Sequence, residues 1–221
     1  MADAEERPIL TVDVVLFTVQ GGALRVALQR RDRTPFEGRL ALIGGYVHVD
    51  KDADTADTAK RVLRDKAGLS GIFLEQLMTF SGAARDPRGW SASVAYYALV
   101  PETALAPVLE KDIALFPVEE VAALPFDHEA IIAEGVRRLQ NKGAYSSLPA
   151  FLLPPHFTMP QLREIYETVM RTQLNDSAFR RKIEELQLIE PVPGAFSKAS
   201  ARPAQLYRLR KTLLQEFDRK L

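Results

Sequence analysis

The sequence predicts an α+β protein in two parts: a β-rich first part to residue 148 and a helical, basic second part over residues 149–221. Three observations predict it. Apolar runs broken by Gly-Gly pairs fill residues 10–47. An amphipathic helical pattern over Glu129–Leu139 ends near Gly143, and four prolines follow between Pro149 and Pro160. The charge also divides. Residues 1–150 hold 17 Lys/Arg against 21 Asp/Glu, and residues 151–221 hold 12 against 8. An acidic body carrying a short basic module suggests a polyanionic partner.

Composition excludes several classes. With 29 acids balancing 29 bases and 47% apolar residues, the chain is neither a disordered tail nor histone-like. It has no cysteine, hence no disulfide, thiolate zinc site or iron–sulfur cluster. The acidic start MADAEERPIL lacks the apolar core of a signal peptide, and no apolar stretch is long enough to span a membrane. A cytoplasmic location is the expectation.

In the first part, Leu10–Phe17 and Ala23–Gln29 read as strands joined at Gly21-Gly22. Leu40–Ile43 is a third apolar run and ends at Gly44-Gly45-Tyr46-Val47. An acidic loop with Asp50, Asp52 and Asp54 follows; the three acids could bind a cation loosely, but such a loop is more often merely solvated. A helix is expected from Asp54 to Ala67, closed by Gly68 at its C-terminal cap. Ser93–Val100 reads as another strand, with Trp90 just before it. Of the three histidines, His48 lies in the glycine-turn region, His128 at a helix start and His156 in the proline-rich junction. None makes a triad or metal cluster, so surface or capping roles are expected.

In the second part, Thr158 and Gln161 form a capping-box pattern with Pro160 in the first turn. Leu162, Ile165, Tyr166 and Val169 make the apolar stripe of that helix. A short link, Thr172–Leu174, leads to a second helix capped by Asn175 or Asp176, with Phe179, Ile183 and Leu186 inward. This pair predicts a helix-turn-helix. Its second helix carries Ser177, Arg180, Arg181 and Lys182 near its N-terminus, where a recognition helix meets phosphates and base edges. Leu188–Val192 reads as a strand, Pro193-Gly194 as a turn, Phe196–Pro203 as a loose basic loop with Lys198 and Arg202, and Gln205–Leu209 as a returning strand. That order is the order of a winged helix.

The glycine turn, acidic loop, helix and Gly68-Leu69 together resemble a Nudix box, G-x5-E-x7-R-E-U-x-E-E-x-G-U with U bulky and apolar. Gly45, Arg61, Leu63, Gly68 and Leu69 match, and the Gly-to-Gly interval is two residues longer than the pattern. Where the pattern has three glutamates on one helix face, this chain has Val62, Asp65 and Lys66. Lys51 or Ala53 falls at its upstream glutamate. The resemblance implies a Nudix α/β/α sandwich, and the departures imply lost metal-dependent hydrolysis with ligand binding retained. No catalytic residue and no metal ligand is expected, nor any cofactor or Mg2+. Lys66 is expected to meet a diphosphate directly. Gln29-Arg30-Arg31 brings two guanidiniums toward Gly44-Gly45. The segment Ala84–Trp90 adds Arg85, Arg88 and a ring able to stack on a base. Arg30, Arg31, Gly44, Gly45, Lys66, Arg85, Arg88 and Trp90 are therefore the expected ligand-binding set. Ser177, Arg180, Arg181, Lys182, Lys198 and Arg202 are the expected DNA-binding set.

A degenerate Nudix domain followed by a winged helix resembles the Nudix-related transcriptional regulators, the NrtR family. The segments that carry this are Arg85–Trp90 with Ser93–Tyr96, the proline-flanked LPAFLLP, Phe179–Lys182 and Ala201–Leu209. The resemblance implies a homodimeric repressor of NAD synthesis or salvage genes. Such a repressor binds palindromic double-stranded operator DNA and releases it when its Nudix domain binds ADP-ribose or a related nucleotide. Two recognition helices on a two-fold axis would enter successive major grooves about 34 Å apart. Three other readings stand beside it: an active ADP-ribose pyrophosphatase, a sugar-responsive transcription factor on the same scaffold, and a binding module without DNA function.

Overall fold

A computed structural model describes residues 7–109, 112–197 and 203–218. Strands β1 (Ile9–Gln20) and β2 (Ala23–Arg30) are joined at Gly21 and Gly22. Both glycines have positive φ, which side chains with a Cβ rarely adopt. In β1, Val12 and the run Val14–Phe17 are at most 1% exposed, so both faces of the strand are covered. Each such side chain contributes roughly 1.5–3 kcal/mol by leaving water.

The third apolar run divides into β3 (Leu40–Ala41) and β4 (Ile43–Tyr46). Strand β3 pairs antiparallel with β2, whereas β4 crosses to β1 with Val12 opposite Gly45 and Asp13 opposite Gly44. Leu42 lies at the break, and its N–H donates to Nδ1 of His128 at 3.0 Å. His128 is thus a buried acceptor at the start of a helix, where surface or capping roles were expected. A backbone donor freed by a strand break must find a partner when buried.

Helix α1 (Thr55–Val62) is capped by Asp54, whose carboxylate accepts from the Asp57 N–H. It continues as one π-helical stretch, Leu63–Ala67, and stops at Gly68 in the left-handed region. Val62 packs directly on Gly45; a Cβ there would lie 3.1 Å from its methyl. Two strands that the sequence analysis did not anticipate complete the sheet with β6 (Ser91–Leu99): β5 (Phe73–Gly82) and, after the short α2 (Ala106–Leu109), β7 (Ile113–Pro117). The order is β3-β2-β1-β6-β5, with β4 also on β1 and β7 on β2. Helix α3 (His128–Gly143) lies against β1 at Gly135, where an added Cβ would sit 3.1 Å from the Phe17 ring.

A 3-10 turn at Leu148–Leu152 leads to α4 (Met159–Met170) and α5 (Asp176–Glu185). The capping box at Thr158 and Gln161 forms, and Asn175 rather than Asp176 caps α5. Tyr166 and Phe179 meet edge-on at 5.5 Å between the two helices. Strands β8 (Ile189–Ser197) and β9 (Ala204–Leu209) form the wing ladder, and Phe157 adds a bridge to Tyr207. The turn expected at Pro193-Gly194 is instead a bulge within β8. The Gln205 amide donates to the carbonyls of Val192 and Ala195, and Gly194 supplies a positive φ. The prolines cannot donate to a ladder, so a side chain fills the gap.

By compactness, one unit is drawn from Met1–Phe17, Val26–Ala98 and Ala106–Gly135, and the other from Thr18–Arg25, Leu99–Leu105 and Val136–Leu221. This division falls inside α3. Among the described residues, no helix is long and apolar enough to cross a membrane.

Candidate ligand site and nucleic-acid interface

The end of β2, the β4 glycine turn, the π-helical stretch and the loop before α3 enclose a cavity of about 460 Å³. Seven Lys/Arg side chains and four aspartates line it, so its field is positive. How these charges pair decides which cations face a ligand. Arg61 binds Asp52 through two contacts of 2.7 Å. Arg85 forks onto Asp127 at 2.8 and 2.9 Å and also donates to the Ser91 hydroxyl. Arg88 forks onto Asp86 and reaches the Tyr46 hydroxyl. Arg33 pairs with its neighbour Asp32.

Three cations find backbone oxygen instead. Arg30 donates to the Gly38 carbonyl at 2.7 Å and Arg31 to Pro35 at 2.8 Å. Lys66 Nζ donates to the Gly44 carbonyl at 2.6 Å. Burial, reinforced by Arg88 and Arg33, lowers the Arg31 pKa. Burial also lowers that of Lys66, with Arg33 and Arg31 pushing the same way and Asp32 and Asp13 opposing. Two desolvated cations, Arg31 and Lys66, without matched carboxylates favour an anion. The cavity's aromatic faces are Phe126 and Tyr46. The Arg31 guanidinium lies 4.9 Å from the Phe126 centroid, and Arg88 lies 5.5 Å from that of Tyr46.

Beneath the turn, Asp13 is buried in β1 and accepts from the Ser93 hydroxyl at 2.6 Å. Arg85 and His128 approach it at 3.8 and 3.7 Å. A Cβ on Gly44 would fall 2.1 Å from this carboxylate, so a side chain cannot be added there without displacing it. Burial lowers the His128 pKa, which suits its role as acceptor from Leu42.

The helix-turn-helix presents the second site. Ser177, Arg180 and Arg181 are exposed on α5 and Lys182 is half-buried. Arg163 of α4 donates to Asp176 at 2.8 Å, tying the start of α5 to its neighbour. Glu167 accepts from the Leu174 N–H and holds the intervening turn, where Arg171 takes the left-handed conformation.

Residues 149–209 match the model of the NrtR DNA-binding winged helix domain. Over 215 residues the chain is 36% identical to the "ADPR responsive transcriptional repressor NtrR" of Acinetobacter baylyi, covering 96% of this chain and 84% of that one. The chain belongs to the NrtR family. Shewanella oneidensis NrtR in complex with a 27mer DNA superposes with a TM-score of 0.87 at 33% identity, covering 96% of this chain and 99% of that one. The Nudix domain of the same protein with ADP ribose superposes with a TM-score of 0.57 at 34% identity, covering 63% of this chain and 93% of the other. An ADP-ribose pyrophosphatase of Methanocaldococcus jannaschii is 31% identical over 114 residues, 51% of this chain and 66% of that one. The fold is thus that of NrtR, a Nudix sandwich with a winged helix.

Within this NrtR chain, Arg30, Arg31, Gly44, Gly45, Lys66, Arg85 and Arg88 come together around one cavity. Trp90 does not line it; half-exposed, it offers its carbonyl to the Ile9 N–H. Lys198 and Arg202 lie outside the described residues. Sequence reasoning missed Asp13, Tyr46 and Phe126. Asp13 left a signal, a lone acid in the strand LTVDVVLF. Phe126 left little, because its place depends on a loop with positive φ.

The residues do not fit a divalent ion at the box. Val62 is buried and apolar, the Asp65 carboxylate pairs with Arg64, and Lys66 occupies the Gly44 carbonyl. Such ions need several oxygen ligands. The acidic loop is structural, not merely solvated: Asp54 caps α1, while Asp52 accepts from the His48 N–H, the Thr58 hydroxyl and Arg61. Asp52, which lies between Lys51 and Ala53, is the acid that meets the box arginine. Arg61 holds the Asp52 carboxyl well below its ordinary value of 3.8, with the His48 N–H and Thr58 adding to it. A depressed folded value means stability that is present above about pH 4 and lost as pH falls toward the folded value. Asp52→Asn is expected to lower the melting temperature at pH 7 and to flatten its fall below pH 4, which calorimetry across pH would record.

Proposed function

We propose that this chain is a DNA-binding repressor whose Nudix domain senses ADP-ribose or a related nucleotide. In this reading residues 1–148 bind the effector and residues 149–221 bind the operator. The observation that carries it is the presence on one chain of two sites suited to anions: a cavity with three cations not matched to carboxylates, and a capped helix exposing Ser177, Arg180 and Arg181. The DNA and ADP-ribose complexes of the Shewanella relative support the assignment of one ligand to each.

The chain acts as a cytoplasmic homodimer on palindromic double-stranded DNA controlling NAD synthesis or salvage. It senses its effector without hydrolysing it, because Val62 and Lys66 leave Asp65 as a lone carboxylate at the box positions. An effector releases DNA only if it favours another arrangement of the two recognition helices. Coupling of 1–3 kcal/mol corresponds to a shift of about 5- to 150-fold in DNA affinity. The test is an electrophoretic shift on the DNA upstream of its own gene, with and without ADP-ribose. Binding that ADP-ribose relieves over that range supports the reading; no binding, or binding that ADP-ribose leaves unchanged, overturns it. Magnesium-dependent release of AMP from ADP-ribose would favour the hydrolase instead.

A further inference from the structure

We infer that the cavity is a metal-independent diphosphate site in which the Lys66 ammonium supplies positive charge directly, with Arg30 and Arg31 lining the same cavity. This rests on the sensor reading above and adds how the anion is held. A lysine ammonium has three donors. One is used on the Gly44 carbonyl at 2.6 Å, which leaves two toward the cavity. The same contact fixes the ammonium over the glycine turn, where Gly44 has no side chain and Asp13 lies close beneath. Arg31 is oriented by the Pro35 carbonyl and by the Phe126 ring, so its guanidinium loses little freedom on binding. Arg30 is tethered to the Gly38 carbonyl in the same loop.

Electrostatics points the same way. Lys66 and Arg31 are partly desolvated and repel one another, a cost that a bound anion removes. The other cations of the cavity cannot take this part without leaving a carboxylate: Arg33, Arg61, Arg85 and Arg88 are each forked onto an aspartate. A magnesium ion would enter a region already holding three cations, with Val62 where a ligand is needed.

Isothermal titration of the full chain with ADP-ribose and with inorganic pyrophosphate, in chelator and in excess Mg2+, tests this. Wild-type protein is expected to bind ADP-ribose with the same affinity under the two conditions and to bind pyrophosphate in chelator. Lys66→Gln is expected to weaken binding in chelator by about 10- to 150-fold, the loss of one charged hydrogen-bond donor. Lys66→Glu should bind more weakly still. Melting curves of the unliganded variants establish that they fold. ADP-ribose binding that requires Mg2+ overturns the inference and leaves the sensor reading standing. Wild-type affinity in folded Lys66→Glu does the same. Absence of ADP-ribose binding under both conditions overturns both.

Discussion

Replacing Arg180 and Arg181 of α5 with alanine is expected to weaken operator binding about 100-fold at physiological salt while leaving ADP-ribose affinity unchanged. Both side chains are exposed. The contact of Arg181 with Glu185 is a long one, 3.8 Å, on the same helix face, and such pairs contribute little to folding. Substitution should therefore shift stability by no more than about 0.5 kcal/mol. On DNA the arithmetic is different. A base-edge contact is worth roughly 1–3 kcal/mol, and each neutralised phosphate contributes about 0.9 to the slope of log affinity against log salt. Loss of both side chains should weaken binding on the order of 100-fold. The salt slope tells which arginine does what. A variant that binds all sequences more weakly with a shallower slope has lost a phosphate contact. One that loses discrimination at a single base pair has lost a reading contact. Unchanged duplex affinity in the double variant would remove α5 from the interface.

The second part of the chain was legible because its elements announce themselves locally. Thr158 and Gln161 cap α4 with their own side chains, and the apolar stripes of α4 and α5 repeat at helical spacing. The wing was read correctly as two strands but wrongly at Pro193-Gly194. That dipeptide signals a turn in isolation, and only the Gln205 amide, 11 residues beyond Gly194 in sequence, makes it a bulge. The first part shows the same limit. Helix α1 with its Asp54 cap and Gly68 stop follows from local chemistry. Strand β5 does not, since FLEQLMTFSG mixes polar residues onto both faces of an edge strand and shows no clean alternation.

The site divides along similar lines. Arg30, Arg31 and Lys66 were identifiable because each adjoins a strand end, a glycine turn or a helix motif in sequence. The partners that settle which cations are free were not. Asp127 meets Arg85 across 42 residues, and His128 meets Leu42 across 86. Nothing in a linear pattern pairs such residues. Arg85 therefore reads as a ligand contact in sequence, yet its guanidinium is engaged by Asp127 in the fold, whereas the aspartate that engages Arg88 lies only two residues away.

Arg85→Ala should accordingly be among the most destabilising single changes in the molecule. The Arg85 side chain is 7% exposed, and it answers Asp127 directly and Asp13 at 3.8 Å. Asp13 is itself buried, with the Ser93 hydroxyl as its nearest partner. Removing the guanidinium leaves one buried and one partly buried carboxylate short of positive charge, which costs about 3–5 kcal/mol. At about 2–4 °C per kcal/mol for a chain of this size, melting should fall by roughly 6–20 °C. Lysine should not rescue it, because a single ammonium cannot reproduce a fork that reaches both Asp127 oxygens and Ser91. Combining Arg85→Ala with Asp127→Ala should cost less than the two separate losses added together, by about 0.5–3 kcal/mol, since the second change removes one of the stranded charges. Calorimetry on the four proteins measures this. Should Arg85→Ala melt like the wild type and lose only ADP-ribose affinity, the guanidinium would be a ligand contact, and the ion pair with Asp127 would carry little of the fold's stability.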